Sequence, residues 1–490
     1  MISPENKPKL EVTAVRGVLW SGGGQAIKQI LQIVTSITLA RLLAPQDFGL
    51  MGMTMVFISV AQLFADFGIG AAIIQSQTKS RIVLSSSFWA NLAIAATLAL
   101  IIALCAPAIA AFYNNPELTP LIAVAALTMV LAGISVVPLS ILGRDMRFAD
   151  LTKSQVAGTL CGSTAAIALA WSGFGVWSLV AQPIVGSSVV LAMVMKQVGW
   201  LPSLEFSLSS ITQHMRFGGG VLGANLITYV QRNTDSLLIG KYLGSGPLGY
   251  YQMAYQLMLF PLQQVSSVMV RVLFPTLSQL QHDLPRLRSA YLKAISAIAL
   301  ITFPMMMGLF AVAEDFIIVV LGEKWLPMLP VLQILAWVGM MQSVATTVGT
   351  IYLSVGAIRK AFLLSLGTTP LLVGALIAGL PWGIQGVAIS YALISFSIFY
   401  LTLFLAFRLI SLSMLDFHRA IWRPLICSII MLVIVMLFNQ YLPIIDNGTR
   451  LALLVSTGVI SYIAISIAFN RHQLIELRRI IRNATKKPVS

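Results

Sequence analysis

Residues 84–112 read LSSSFWANLAIAATLALIIALCAPAIAAF, 29 consecutive positions without an Asp, Glu, Lys or Arg. A hydrocarbon core about 30 Å thick needs roughly 20 apolar residues of helix to cross it, so this run is long enough by itself. A barrel strand would alternate apolar and polar residues with a period of two, and this run does not. Inside lipid the backbone must satisfy its own hydrogen bonds, which leaves a transmembrane α-helix as the reading.

Comparable runs recur in both directions from this one. Fourteen spans are expected, at 15–43, 48–74, 84–112, 117–142, 152–171, 175–195, 217–240, 248–275, 287–313, 328–355, 361–380, 384–408, 420–438 and 450–469. The chain after Glu314 is less regular and reads as partly reentrant or interfacial. Of 490 residues 58% are hydrophobic and 10% charged, whereas soluble domains carry about 25% charged residues. The fold class is therefore an all-α polytopic membrane protein. The segments between spans are too short for a soluble catalytic domain, and no GxxxxGK[ST] phosphate loop supplies an ATP motor.

A net charge of +15 invites a nucleic-acid partner, but its distribution points elsewhere. With the N-terminus in the cytoplasm, 24 of the 31 Lys and Arg fall in cytoplasmic segments. Arg41, Lys241, Lys324 and Arg450 fall outside, and Lys28, Arg232 and Arg271 lie within spans. That asymmetry is the positive-inside rule. It places both termini in the cytoplasm and makes lipid, not nucleic acid, the basic residues' partner. The tail Arg471–Lys487 interleaves Leu474, Ile475 and Leu477 with cations, which reads either as a basic amphipathic helix on the inner leaflet or as a frayed solvated tail. Cys105, Cys161 and Cys427 read as small core hydrophobes, and the four histidines form no ligand cluster, so no metal or cofactor is expected. The first run lacks a small-residue cleavage site, and no signal peptide is expected. Glu323-Lys324-Trp325 reads as an interfacial anchor.

A weak internal repeat organises the spans. Residues 40–50, ARLLAPQDFGL, match residues 240–250, GKYLGSGPLGY, at an offset of 200. Gly143 and Gly175 correspond to Gly356 and Gly386. This predicts two parallel lobes of six helices, residues 1–205 and 206–410, followed by two further helices and a basic tail at 411–490. Transporters built in this way carry their site between the repeats. The clusters Gly22-Gly23-Gly24 and Gly218-Gly219-Gly220 read as close helix packing or hinges.

The first and seventh spans carry the candidate chemistry. Gln25, Lys28, Gln32 and Thr35 are spaced i, i+3, i+7, i+10 and share one helical face. Asn225, Thr228, Arg232 and Asp235 repeat that spacing 200 residues later. Lys28 lies roughly 18 Å in from Arg16 at about 1.5 Å per residue, near mid-membrane. A Lys or Arg there costs about 2.5–3.5 kcal/mol to insert, so such a residue faces a cavity or a partner. Arg232 and Asp235, one turn apart, could instead neutralise each other; Lys28 has no acid within a turn. Arg271 reads either as a cavity residue or as a cation snorkelling to the inner headgroups. Asp66 reads as an ion-coupling group or as the cap of a glycine-loosened segment, and Asp235 as coupling or structural.

Four stretches carry a family resemblance: Leu39-Ala40-Arg41-Leu42-Leu43 through Phe48-Gly49, Asp66-Phe67-Gly68-Ile69-Gly70 through Ile74-Gln75, Arg271-Val272-Leu273-Phe274-Pro275, and Leu321-Gly322-Glu323-Lys324-Trp325. In this order and spacing the chain resembles the polysaccharide-transport branch of the multidrug/oligosaccharidyl-lipid/polysaccharide exporter superfamily, in particular Wzx-type flippases of the colanic-acid kind. The resemblance implies two six-helix lobes, two extra helices and alternating access. It also implies a lipid-linked oligosaccharide as cargo, and polymerase and glycosyltransferase enzymes as pathway partners. Cations on the first and eighth helices line the cavity of relatives that handle lipid diphosphates, which implies that role for Lys28 and Arg271. Gln25, Gln32 and Asn225 would offer hydrogen bonds to hydroxyls. Three other readings stand beside this one: a flippase for the peptidoglycan lipid precursor, a drug–cation antiporter, and a membrane polysaccharide polymerase. An antiporter would want an acidic or aromatic cavity, and a polymerase a large outer loop with catalytic groups.

Overall fold

The computed structural model describes residues 7–65, 69–76, 80–205, 207, 219–443 and 445–470. Asp66, half of the 199–214 linker and the tail Arg471–Lys487 lie outside the described residues. Among the described residues the chain is helical throughout and forms no strand. It divides into two compact units, Met1–Gly249 and Tyr250–Ser490.

The first unit holds α1 (Lys7–Leu42), α2 (Pro45–Ala65), α3 (Ile69–Ser76), α4 (Arg81–Tyr113), α5 (Leu118–Ala125), α6 (Leu127–Arg144), α7 (Phe148–Trp171), α8 (Val176–Val198) and α9 (Gly219–Leu243). Local chemistry sets their ends. Pro45 opens α2, where its missing N–H costs nothing, and Asp47 accepts the Ala44 N–H at 2.9 Å. α4 stops at Asn114, in the left-handed conformation with φ 54°, and the Asn115 N–H closes back on the Ala110 carbonyl at 3.0 Å.

Small residues then let the backbones touch, as membrane helices require when apolar burial cannot drive association. A methyl on Gly162 of α7 would stand 2.6 Å from the Gln182 carbonyl oxygen of α8. Gly24 of α1 lies directly against the Thr152 side chain of α7, whereas Gly22 and Gly23 face open space. Gly49 packs on the Ser245 backbone and Gly249 on the Pro45 backbone. Both pairs are related by the 200-residue offset, so the residues that repeat in sequence also meet reciprocally in space.

α10 (Ser245–Pro261) begins in the first unit and continues into the second through a π turn at Leu262–Ser266 and α11 (Ser267–Gln279). The second unit then contains α12 (Leu284–Ala311), α13 (Ala313–Phe316), α14 (Leu329–Ala345), α15 (Val348–Ser354), α16 (Ile358–Gly379), α17 (Gly383–Ile410), α18 (Met414–Tyr441) and α19 (Asn447–Phe469). Its core is built on α12, where Tyr291, Ile295, Ala299 and Phe303 are buried with Phe407 and Phe417 from α17 and α18. The last two helices are part of this unit. Tyr462 of α19 donates to the Leu300 carbonyl at 2.7 Å, and Arg450 reaches both Asp315 at 3.6 Å and Asn439 at 2.8 Å.

The irregular stretch after Glu314 is a short helix, a π turn at Ile317–Leu321 and a 3-10 turn at Glu323–Met328. Trp325 there is fully buried, with Tyr250 edge-on at 6.0 Å, so it is a core residue and not the interfacial anchor expected. The cysteines divide: Cys427 is buried as expected, but Cys105 and Cys161 are exposed on apolar helices.

Nine described stretches are long and apolar enough to cross a membrane. One of them, 358–410, has 53 residues. As a single helix it would run about 80 Å, far beyond the bilayer core. It turns back at Gly383, whose φ of 68° belongs to the region glycine tolerates, and α16 and α17 pack along each other. α1, α7, α9 and the α10–α11 pair are not among the nine. These are the helices whose apolar pattern is most broken by polar residues.

Candidate functional site

The stripe on α1 sits on a helix with two different exposed faces. Gln25 and Gln32 are exposed, Lys28 is half-buried and Thr35 is buried. Ile27, Ile30 and Val34 are more than half exposed, at 52%, 61% and 54%. At about 100° per residue these two sets point roughly 150° apart. An exposed aliphatic face suits lipid, and an exposed amide face cannot be left there without an unmade hydrogen bond. The polar face therefore needs water or another hydrogen-bonding neighbour.

Gln25 and Lys28 line a pocket of about 160 Å³ whose other wall is α7, with Thr152 and Gln155 supplying polar atoms and Phe148 and Leu151 apolar ones. No acid lines it, and Lys28 has no ion pair among the described residues. Ser154, Thr159 and Thr164 on α7 each donate a hydroxyl hydrogen bond to the carbonyl four residues back. The Thr152 side chain makes no hydrogen bond among the described residues, which leaves its hydroxyl available to an occupant. The pocket is close in size to the roughly 150 Å³ cavity that admits a benzene ring, and below the 300–1,000 Å³ typical of sites for drug-sized ligands. It accommodates a phosphate-sized group and not an oligosaccharide.

Sequence reasoning missed Thr152 and Gln155. Both stand in the first turns of α7, where polar residues ordinarily read as a helix end. Only the seating of Gly24 against Thr152 brings them to Lys28.

On α9, Asn225, Thr228 and Arg232 are exposed and Asp235 is 3% exposed. One Asp235 carboxylate oxygen accepts the Ser236 N–H at 2.7 Å. No ion pair joins Arg232 to Asp235 among the described residues, so the mutual neutralisation considered above is not what holds either side chain. Gln32, Asn225 and Arg232 do not line the α1–α7 pocket. Arg271 falls on α11 with its side chain outside those described, and Asp66 lies outside the described residues. Among the described residues no group of His, Cys, Asp and Glu could hold a metal ion.

Comparison with known proteins identifies the family and the fold. The family model described as polysaccharide biosynthesis protein matches residues 38–330. The lipopolysaccharide biosynthesis protein WzxC of Escherichia coli K12 is 28% identical over 433 residues, 87% of each chain. The succinoglycan biosynthesis transport protein ExoT of Rhizobium meliloti is 32% identical over 325 residues, 66% of each. Among solved structures, the inward-closed lipid II flippase MurJ superposes with a TM-score of 0.75 at 15% identity, covering 93% of this chain and all of that one. An inward-facing multidrug transporter of the MATE family follows the same fold, with a TM-score of 0.56 at 15% identity, covering 78% of this chain and 94% of that one. The chain belongs to the polysaccharide biosynthesis protein family, as a polytopic membrane transporter and not an enzyme.

Proposed function

We propose that the chain carries a polyprenyl-diphosphate-linked oligosaccharide from the cytoplasmic to the outer leaflet of a bacterial inner membrane, with Lys28 contacting the diphosphate. The observation that carries this reading is the α1–α7 pocket: one cation, three neutral hydrogen-bonding side chains, no acid, and room for a phosphate-sized group. The lipid tail stays in the bilayer while the polar headgroup moves through water-filled space. Gln25, Gln32 and Asn225 offer further hydrogen bonds, and Arg232 and Arg271 further positive charge. Asp66 and Asp235 are the candidates for ion coupling.

The architecture that goes with this function has fourteen spans with both termini cytoplasmic, in lobes 1–205 and 206–410 followed by 411–490. The lobes move by alternating access. Glycosyltransferases build the cargo and a polymerase consumes it. A headgroup of charge near −2 moving outward gains about 2 × 2.3 kcal/mol per 100 mV of inside-negative potential, so the potential alone favours export. A flippase for the peptidoglycan precursor shares the diphosphate chemistry, and MurJ shares the fold. A drug–cation antiporter is disfavoured by the sign of the Lys28 pocket.

The test measures polymer export and membrane abundance together in Lys28→Ala. Export should fall to background at wild-type abundance, because removing an unpaired, half-buried cation removes a desolvation cost. Wild-type export from this variant would reject the assignment.

A further inference from the structure

The sequence carries no Asp, Glu, Lys or Arg from Tyr242 to Val270. Within that stretch, every exposed residue between Tyr250 and Ser266 is a glutamine: Gln256, Gln263 and Gln264. Gln252, half-buried, shares the face of Gln256 one turn earlier. α18 in the same unit shows the opposite pattern. From Ile426 to Phe438 its exposed residues are Ile426, Ile429, Val433, Met436, Leu437 and Phe438, all apolar. α18 therefore presents a lipid face, and α10 presents a face that lipid cannot satisfy.

The π turn at Leu262–Ser266 contributes to this face. A π turn adds a residue to the local helical circuit and is often found at functional sites; here Gln263 and Gln264 are both exposed side by side. The side chains of Gln256 and Gln264 are not engaged in hydrogen bonds among the described residues. Tyr255, half-buried beside Gln256, packs edge-on to Tyr391 at 6.2 Å, and the Tyr391 hydroxyl accepts from Gln342 Nε2 at 2.7 Å. The surface is amide-rich, aromatic-flanked and uncharged.

A primary amide both donates and accepts, as a sugar hydroxyl does. A neutral row of amides offers nothing to a diphosphate that it does not offer more fully to a polyol. We propose that Gln252, Gln256, Gln263 and Gln264 form a binding strip for the neutral hydroxyls of the glycan, distinct from the cationic pocket at Lys28. The inference rests on the flippase reading above and adds to it where the sugars are held.

The test uses the full chain in nanodiscs and two probes: a bare polyprenyl diphosphate, and the same lipid carrying a neutral hexose oligosaccharide. Wild type should bind the glycosylated lipid more tightly. Gln256→Met and Gln264→Met should each weaken binding of the glycosylated lipid by about threefold to tenfold, the range of a lost neutral hydrogen bond. Binding of the bare lipid should not change, which also reports an intact fold. Lys28→Ala should weaken both probes. Equal loss for both probes in the glutamine variants, or no loss for either, overturns the strip, as does a wild type indifferent to the sugar. A wild type that binds neither lipid overturns the flippase reading itself and the strip with it.

Discussion

α1 and α9 carry the same four-position polar pattern 200 residues apart, and in both the last position is buried, Thr35 and Asp235 each being 3% exposed. The repeat therefore reproduces the scaffold, but not the chemistry. The cation of α1 is Lys28, at the second position, where α9 has Thr228; the cation of α9 is Arg232, at the third, where α1 has Gln32. Lys28 sits in a pocket completed by α7, and Arg232 stands on an open face. Pseudosymmetry builds two helices with exposed polar faces, and the asymmetry between them is what the proposed anion seat at Lys28 rests on.

That contrast can be broken by moving the charge. Lys28→Ala is expected to lose export entirely, while Lys28→Arg retains part of it, since a diphosphate accepts either cation with different geometry. The exchange Lys28→Thr with Thr228→Lys keeps composition and net charge and should still export at background. Recovery in the exchanged protein would mean that any cation on the paired stripes suffices. Arg232→Ala comes next: a partial loss of export at unchanged abundance, because no Asp235 ion pair is broken. A fall in abundance reversed by adding Asp235→Ala would return Arg232 to a structural role.

Arg450 is the control, a cation that does have partners. Arg450→Ala should leave export by the folded protein near normal but lower thermal stability by about 1–3 kcal/mol, because it strands a 5%-exposed Asp315. Burial raises the Asp315 carboxyl above its ordinary value, and Arg450 opposes that rise. With the folded value above the unfolded one, stability is fully present below the unfolded pKa and is lost as pH rises through the folded pKa. Losing Arg450 raises the folded value further, so the variant's deficit should shrink as pH falls toward the ordinary carboxylate range. Melting curves at neutral and acidic pH check the sign.

Much of this was legible in sequence. The unbroken run at 84–112 became α4, and the four-position spacings on α1 and α9 predicted a shared polar face that the structure leaves largely exposed. The repeat was visible in Gly49 and Gly249, though sequence could not say that each packs on the other's neighbourhood. What was not legible depends on packing between distant segments. Trp325 looks interfacial beside Glu323 and Lys324 until the core closes over it. Thr152 and Gln155 look like a span end until Gly24 seats α7 on α1. The glutamines of α10 are scattered in sequence and become one face only on a helix with a π turn, whose position has no compositional mark.

The central claim is that one face of α1 fronts a water-filled path while the other fronts lipid. It is tested most directly by placing single cysteines at Gln25, Gln32, Ile27, Ile30 and Val34 in a background with Cys105→Ser, Cys161→Ser and Cys427→Ala. Each is then labelled in membrane vesicles with a membrane-impermeant maleimide. The account predicts labelling at positions 25 and 32 and none at 27, 30 and 34. Labelling of the isoleucine and valine positions with protection of the glutamine positions would contradict it.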